Sequence, residues 1–350
     1  MGGHLRRGLQ YPVIRTSLQN RKQQRANCKE LKSRVAKALF RRRLLGWYDR
    51  NKRDLPWRHN RDPYRVWLSE IMLQQTRVAA VIDHYRRFLD RFPTIEKLAA
   101  ASEASVLAVW GGLGYYRRAR MLHLAAKEIV DEHRGESPTS AESLRELPGI
   151  GRYTAAAISS IAFDEPIAAV DGNVERILRR ITGADLVLAQ VWELADILLS
   201  RKHPGDFNQA MMELGALVCL PRNPKCMACP IFDFCRTRGE SKTQGKTIPQ
   251  RKKEICYAIA RQRQSVFLVQ RSEDASVMAG MWEFPEIGNK GADFEITLRH
   301  SITVTDYVVR VAYARSSPRH ASGKWVLESQ LNEIALTGLA RKILRAAKII

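Results

Sequence analysis

Residues 147–155 read LPGIGRYTA, and apolar helical spacing flanks them at Ser140–Glu146 and Thr154–Ala162. A Gly-x-Gly turn between two helices exposes backbone N–H groups, and the helix that follows adds its positive N-terminus. Gly149 and Gly151 are thus suited to hold a nucleic-acid phosphate without reading base sequence. An ordinary inter-helix turn is the alternative. The same i, i+3/i+4 spacing recurs over Lys32–Asp49, Trp67–Asp90, Glu103–Trp110, Ala119–His133, Asn173–Thr182 and Asp206–Cys219. Short punctuation such as FPT (92–94), GGLG (111–114) and SPTS (137–140) separates these segments. Residues 29–236 therefore read as an all-α domain. The polar, charged stretch 237–254 reads as a linker. Beyond it ICYAIARQ, SVFLVQR and SITVTDYVVRVAYAR alternate as strands do, and an amphipathic helix is expected over Glu328–Ile350. Residues 255–350 thus read as a small α+β domain.

Composition is consistent with two domains. The 350 residues carry 58 Lys and Arg against 36 Asp and Glu, a net charge of +22. That excess points to a polyanionic partner, nucleic acid ahead of a membrane surface. Hydrophobic residues make up 45% of the chain, which excludes a wholly disordered protein. No apolar run reaches the ~18–20 residues of a membrane-spanning helix, so none is expected. Residues 1–28 hold six Lys or Arg and no acid, and read as a basic, disordered extension or an upstream start; a transit peptide is the other reading. The charge does not reside there alone, since residues 242–350 carry 18 basic and 10 acidic side chains.

Four of the six cysteines fall within 17 residues, as Cys219-x6-Cys226-x2-Cys229-x5-Cys235. This is not the layout of a secreted disulfide scaffold. Four thiolates at these spacings can close around a [4Fe–4S] cluster. Structural zinc is the alternative, but only one CxxC pair is present. Arg222 and Lys225 lie between the first two ligands, so the cluster would brace a phosphate-contacting loop. Cys28 and Cys256 read as plain thiols.

Two carboxylates stand in contrasting settings. Glu70 lies in VWLSEIMLQQT among Trp67, Leu68, Ile71 and Met72, where burial would favour its protonated form and suit it to be a general acid. Asp171 lies in AAVDGNVERI, where an extended apolar segment gives way to a helix whose N–H groups it can accept. One acid to protonate a leaving group and one to stabilise an oxocarbenium ion is the pairing that glycosidic cleavage needs. Taken singly, Glu70 could be an exposed helix residue and Asp171 a plain N-cap.

The helix-hairpin-helix turn, the aspartate about twenty residues beyond it and the four-cysteine loop resemble the endonuclease III superfamily of DNA glycosylases. Within it, WLSEIMLQQTRV, GLGYYRRAR, LPGIGRYTA, VDGNVERIL, FNQAMMELGALVC and WEFP are similar to MutY-type adenine DNA glycosylases. The resemblance is dense over residues 55–235 and looser through the C-terminal domain, which resembles that family's Nudix-like lesion-recognition domain. It implies a base-excision enzyme that removes adenine mispaired with 8-oxoguanine or guanine in double-stranded DNA, working as a monomer. Glu70 would protonate adenine N7, and Asp171 would stabilise the sugar cation. Tyr153 and Asn173 would support them, Gln209 would contact the flipped adenine, and Gln75 and Tyr115 would enter the base stack. Bifunctional relatives carry a Schiff-base lysine where this chain has Tyr153, so a monofunctional enzyme is expected. A bacterial protein of this kind would act in the cytoplasm or nucleoid, with nuclear and mitochondrial sites open otherwise.

One position departs from the family pattern. A Phe-Ser-His recognition loop aligns with Ile302, Thr303 and Val304, keeping a hydroxyl but losing an imidazole. Weaker discrimination against plain G:A mispairs is therefore expected. Three rival readings remain: a thymine or pyrimidine glycosylase of the same superfamily, a non-catalytic iron–sulfur DNA-binding protein, and a Nudix hydrolase, which lacks its REx2E spacing here. Trp47, Trp67 and Trp110 read as core, and His84, His123 and His133 as solvated.

Overall fold

A computed structural model describes residues 33–239, 251–275, 277–289, 293–302, 305–314 and 322–350. The expected N-terminal extension, Thr303 and Val304 lie outside them. The helices before the cysteine loop are α1 (Arg34–Asn51), α2 (Pro63–Leu73), α3 (Val78–Arg91), α4 (Ile95–Ala99), α5 (Glu103–Trp110), α6 (Arg117–His133), α7 (Ala141–Leu144), α8 (Arg152–Ala162), α9 (Gly172–Thr182), α10 (Leu188–Leu198) and α11 (Pro204–Leu217). After it come strands β1 (Arg251–Ile259), β2 (Arg261–Gln262), β3 (Ser265–Gln270), β4 (Trp282–Glu283), β5 (Glu286–Ile287), β6 (Phe294–Ile302), β7 (Thr305–Tyr313) and β8 (Gly323–Leu327), then helix α12 (Gly338–Ala346). Caps written in the sequence start many of the helices. Asp62 accepts from Arg65 N with Pro63 in the first turn of α2, and Ser33, Thr94, Ser102, Ser140 and Thr337 cap α1, α4, α5, α7 and α12.

The described residues form two compact units. One takes those within Met1–Asp54 and Arg152–Thr243, the other those within Leu55–Gly151 and Gln244–Ile350. In the first, Phe40, Leu44 and Trp47 of α1 pack with Leu178, Leu198, Phe207 and Leu214. In the second, Leu68, Met72, Phe88, Trp110 and Leu122 are buried between helices, and Phe88 meets Trp110 edge-on at 5.9 Å. Its strands form one sheet of order β5-β1-β7-β6 and another in which β3 is flanked by β2, β4 and β8. β1 runs parallel to β7, pairing Arg251 with Thr305 through to Ile259 with Tyr313, while β6 and β7 are antiparallel. Leu339, Ile343 and Leu344 of α12 belong to the core of this strand-rich part. No helix among the described residues is long and apolar enough to cross a membrane.

The structure corrects several expectations. The helix expected over Trp67–Asp90 is broken at 74–77, because Gln75 adopts φ +55, a left-handed conformation that no α-helix continues through. Helices α4 and α10 were not expected; α4 is a single capped turn, and in α10 the Gln190 side chain accepts from Val187 N. The terminal helix is shorter than Glu328–Ile350, since Trp282 N donates to Ala335 O and Thr337 N to Trp282 O, drawing 335–337 onto β4. Strand β1 begins at Arg251, inside the expected linker. His123 is buried at 2% exposure, not solvated, because it lies on the core face of α6; His84 is half-buried and donates to or accepts from its neighbours at both ring nitrogens, and His133 is exposed. The three tryptophans expected in the core are there.

Candidate functional site

In the first unit the site is built around Asp171. The segment 167–170 has no regular secondary structure, and Asn208 of α11, itself 2% exposed, holds it by accepting from Ala169 N at 3.1 Å and donating to Ile167 O at 2.9 Å. Asn208 also donates to Ser160 Oγ at 2.9 Å, tying the segment to α8. Asp171 then caps α9: Oδ1 accepts from Val174 N and Oδ2 from Asn173 Nδ2, both at 2.7 Å. Two donors and a helix N-terminus complement a negative charge at this carboxylate. Asn173 Oδ1 in turn accepts from Arg176, which also donates to Gly215 O and Cys219 O at 2.9 Å each. Burial lowers the Arg176 pKa, while the nearby Cys219 and Asp171 oppose that shift. The close approach of α9 to α11 requires Gly215, because a Cβ there would collide with the Asn173 side chain. Tyr153 Oη donates to Met212 Sδ at 3.3 Å, and Gln209 is half-buried on α11.

The cysteine loop follows directly from α11. Arg180, 3% exposed, donates to Leu220 O at 2.6 Å, Pro221 O at 2.9 Å and Cys219 Sγ at 3.4 Å. The Arg180 carbonyl accepts from Cys235 Sγ at 3.4 Å and from Thr237 Oγ1 at 2.9 Å, so one residue braces both ends of the loop. Lys225 N donates to Val218 O and closes it. All four thiols are free and half-buried, whereas Arg222 and Lys225 are exposed. Burial, with added repulsion from the other three cysteines, pushes the Cys229 thiol up to about 11, and burial raises Cys235 as well. Four mutually repelling soft donors fit a cationic iron–sulfur group, which relieves that repulsion by binding the thiolates. Cys256 is buried on β1.

In the second unit, Glu70 lies on α2 at 8% exposure, with Trp67, Leu68, Ile71 and Met72 buried around it. Gln75 is exposed and Tyr115 is 49% exposed, and both are left-handed, at φ +55 and +48. At the hairpin, Ile150 N donates to Leu147 O, and Gly149 has φ +77. A Cβ at Gly149 would stand 2.5 Å from Met121 Cβ, so the turn excludes any side chain there, while a Cβ at Gly151 meets open space among the described residues. Both glycines are exposed. A cavity of about 690 Å³ is lined by Tyr115, Arg117, Arg120, Ser301, Arg341 and Lys342 among others, with no carboxylate in its lining among the described residues. Such a wall attracts anions.

Comparison with known proteins places this geometry. Residues 68–188 match the HhH-GPD superfamily of base excision DNA repair proteins, and residues 219–235 match the iron-sulfur binding domain of endonuclease III. The chain is 33% identical to the adenine DNA glycosylase of Buchnera aphidicola subsp. Schizaphis graminum, over 76% of this chain and 80% of that relative. The chain belongs to the adenine DNA glycosylase family. It is 51% identical to the rat adenine DNA glycosylase over 56% of this chain, yet spans only 41% of that relative's length. A thermostable thymine-DNA glycosylase of solved structure superposes with a TM-score of 0.55 and 30% identity, covering 58% of this chain and 96% of its own.

Of the residues expected at an adenine glycosylase site, the structure joins Asp171 to Asn173 by a hydrogen bond, while Tyr153 contacts Met212. Glu70 and Asp171 belong to different units. Asn208, Arg176 and Arg180 were missed as residues that hold the Asp171 segment and the cysteine loop. Each lies within or beside a quoted motif, but the signal that marks them is long-range hydrogen bonding, which residue type and local spacing do not carry.

Proposed function

We propose that this chain excises adenine paired with 8-oxoguanine or guanine in double-stranded DNA, as a monomer and without lyase activity. The observation that carries the reading is the contrast between two carboxylates: Glu70 buried in an apolar helix and Asp171 held by two donors at a helix start. In this reading the adenine leaves the stack, with Gln75 and Tyr115 entering the space behind it. Glu70 gives its proton to adenine N7, the glycosidic bond breaks, and the electron pair stays with the departing base. Asp171 stabilises the sugar cation until water adds to it. Asn173 keeps the Asp171 carboxylate aimed, and Gln209 contacts the base. Tyr153 has no amine with which to form an imine, so the abasic sugar is released intact.

Gly149, Gly151, Arg222 and Lys225 would hold phosphates of the duplex. Cys219, Cys226, Cys229 and Cys235 would carry a [4Fe–4S] cluster, whose role when bound is to fix the loop bearing those two cations. Among the described residues no three His, Cys, Asp or Glu gather as ligands of a single ion. Only one CxxC pair stands among the four cysteines, which supports a cluster over a structural zinc ion. The mixed parallel and antiparallel sheet with α12 supports a Nudix-like recognition domain, to which the family resemblance assigns Thr303 as a lesion-recognition residue.

The test is single-turnover base release from 8-oxoguanine:A, G:A and G:T duplexes, with and without alkali, for the parent and Glu70→Gln. Adenine release that is lost in the variant, with strand breaks only after alkali, is the expected result. Breaks without alkali would overturn the monofunctional reading. Thymine release alone would favour the activity named for the thymine-DNA glycosylase that this chain resembles.

A further inference from the structure

We infer that Arg118 is the positioning residue that holds the Gln75 and Tyr115 turns together as one preformed wedge; this rests on the reading of those two residues as the groups that enter the base stack. Both side chains project from left-handed backbone, a conformation that a non-glycine residue keeps only where its surroundings impose it. The guanidinium of Arg118 on α6 supplies those surroundings to both turns at once. Its NH1 donates to Ile71 O at 2.7 Å, Met72 O at 3.0 Å and Gln74 O at 2.6 Å. Its NH2 donates to Thr76 Oγ1 at 3.1 Å, Gly114 O at 3.3 Å and Leu113 O at 3.5 Å.

The acceptors therefore bracket Gln75 on both sides and immediately precede Tyr115. The Tyr115 ring itself lies 5.5 Å from the guanidinium carbon, with Trp110 at the same distance. Trp110 Nε1 also donates to Gly114 O, fixing the second turn from its far side. A helix C-terminus such as that of α2 needs a cation only at its own last carbonyls. Arg118 does more, because two of its acceptors lie on the other turn. Every acceptor is a neutral oxygen, so the charge is held by carbonyl dipoles and ring faces rather than by a carboxylate. Burial pulls the guanidinium down to about 10, which leaves it charged at neutral pH. The fork geometry is essential: NH1 and NH2 diverge, whereas a lysine ammonium is a point that can serve one turn or the other.

The test uses the full chain with Arg118→Lys, and with Thr76→Val as a milder variant that removes one acceptor, after thermal unfolding has verified folding. In the free protein, amide hydrogen exchange at 74–76 and at 113–115 should rise together, by about tenfold or more, with the strands unchanged. A rise confined to 74–76 would make Arg118 a simple helix cap and overturn the inference. With a duplex carrying 2-aminopurine in place of the target adenine, Arg118→Lys should lower the fluorescence gain of base extrusion. It should slow single-turnover adenine release by roughly 10- to 100-fold, the scale of a small misplacement. Duplex affinity should change by less than about threefold, since phosphate contacts lie elsewhere.

The same substitution in a Gln75→Ala/Tyr115→Ala background should then add less than about twofold. An undiminished effect there, with the double variant itself impaired, would overturn the role of Arg118 alone. Unimpaired release by the double variant would overturn the insertion reading, and the inference with it.

Discussion

Replacing Asn208 by alanine should loosen Asp171 from a distance. Asn208 is 2% exposed and touches the Asp171 segment at two backbone groups, Ala169 N and Ile167 O. Truncation leaves both without their partner, Ala169 N in a buried setting and Ile167 O in a half-buried one. The Ser160 hydroxyl suffers less, because it already donates to Ala157 O at 3.3 Å. An orphaned buried donor or acceptor costs ~1–3 kcal/mol, so the two together put the local loss at about 3 kcal/mol. With a factor of ten for each ~1.4 kcal/mol, that corresponds to about 100-fold easier opening of the segment. Hydrogen exchange at the Ala169 amide reads this directly and should accelerate by that order, with adenine release slowed in parallel. Asn208→Asp keeps the acceptor for Ala169 but loses both donors, so Ala169 should remain better protected than in the alanine variant. Ala169 protection within about threefold of the parent after Asn208→Ala would refute the reasoning, and would mean that packing alone holds the segment.

His123 carries a pH dependence of known sign. Burial lowers its pKa, reinforced by Lys127 and offset by the Ala99 and Ala101 carbonyls and by Glu103. The unfolded chain thus binds the proton more readily, and stability present above about pH 6.5 is lost as pH falls toward the folded value. His123→Phe should flatten urea-unfolding midpoints below that pH, though only in part, because burial and Lys342 lower His300 too. The hairpin glycines should separate: Gly149→Ala should destabilise by ~1–3 kcal/mol through its φ of +77 and the Met121 collision, whereas Gly151→Ala should leave the thermal midpoint unchanged. A shared loss of stability would contradict this. Val304→His should raise the preference for 8-oxoguanine:A over G:A by roughly 2- to 12-fold, the worth of one regained hydrogen bond, as read by single-turnover rates.

The helical and strand-rich regions were legible because periodicity is a local property. Asp171 could be placed at a helix N-cap because its side chain reaches only three residues ahead, to Val174 N. The apolar setting of Glu70 was equally legible, since its neighbours one turn away are sequence neighbours too. The break at Gln75 was not. Apolar spacing runs through it on both sides, and the carbonyls freed at the end of α2 are taken by an arginine more than forty residues later. The same limit hid His123, whose side of α6 is defined by partners in α4 and the turn after it, and the early end of the terminal helix, whose backbone is drawn to β4.

Sequence alone thus determined the chemistry carried by this chain: the thiols and their spacing, the two carboxylates, the glycine hairpin and the tyrosine at position 153. These depend on residue identity and on distances of a turn or two, which the covalent chain sets. Tertiary structure decided how those groups are held. Asn208 fixes the segment leading to Asp171, Arg176 and Arg180 join α9 to the cysteine loop, and Arg118 joins two turns. Each of these arginines and the asparagine can reach many oxygens in an unfolded chain, and only the packed fold selects which oxygens they meet.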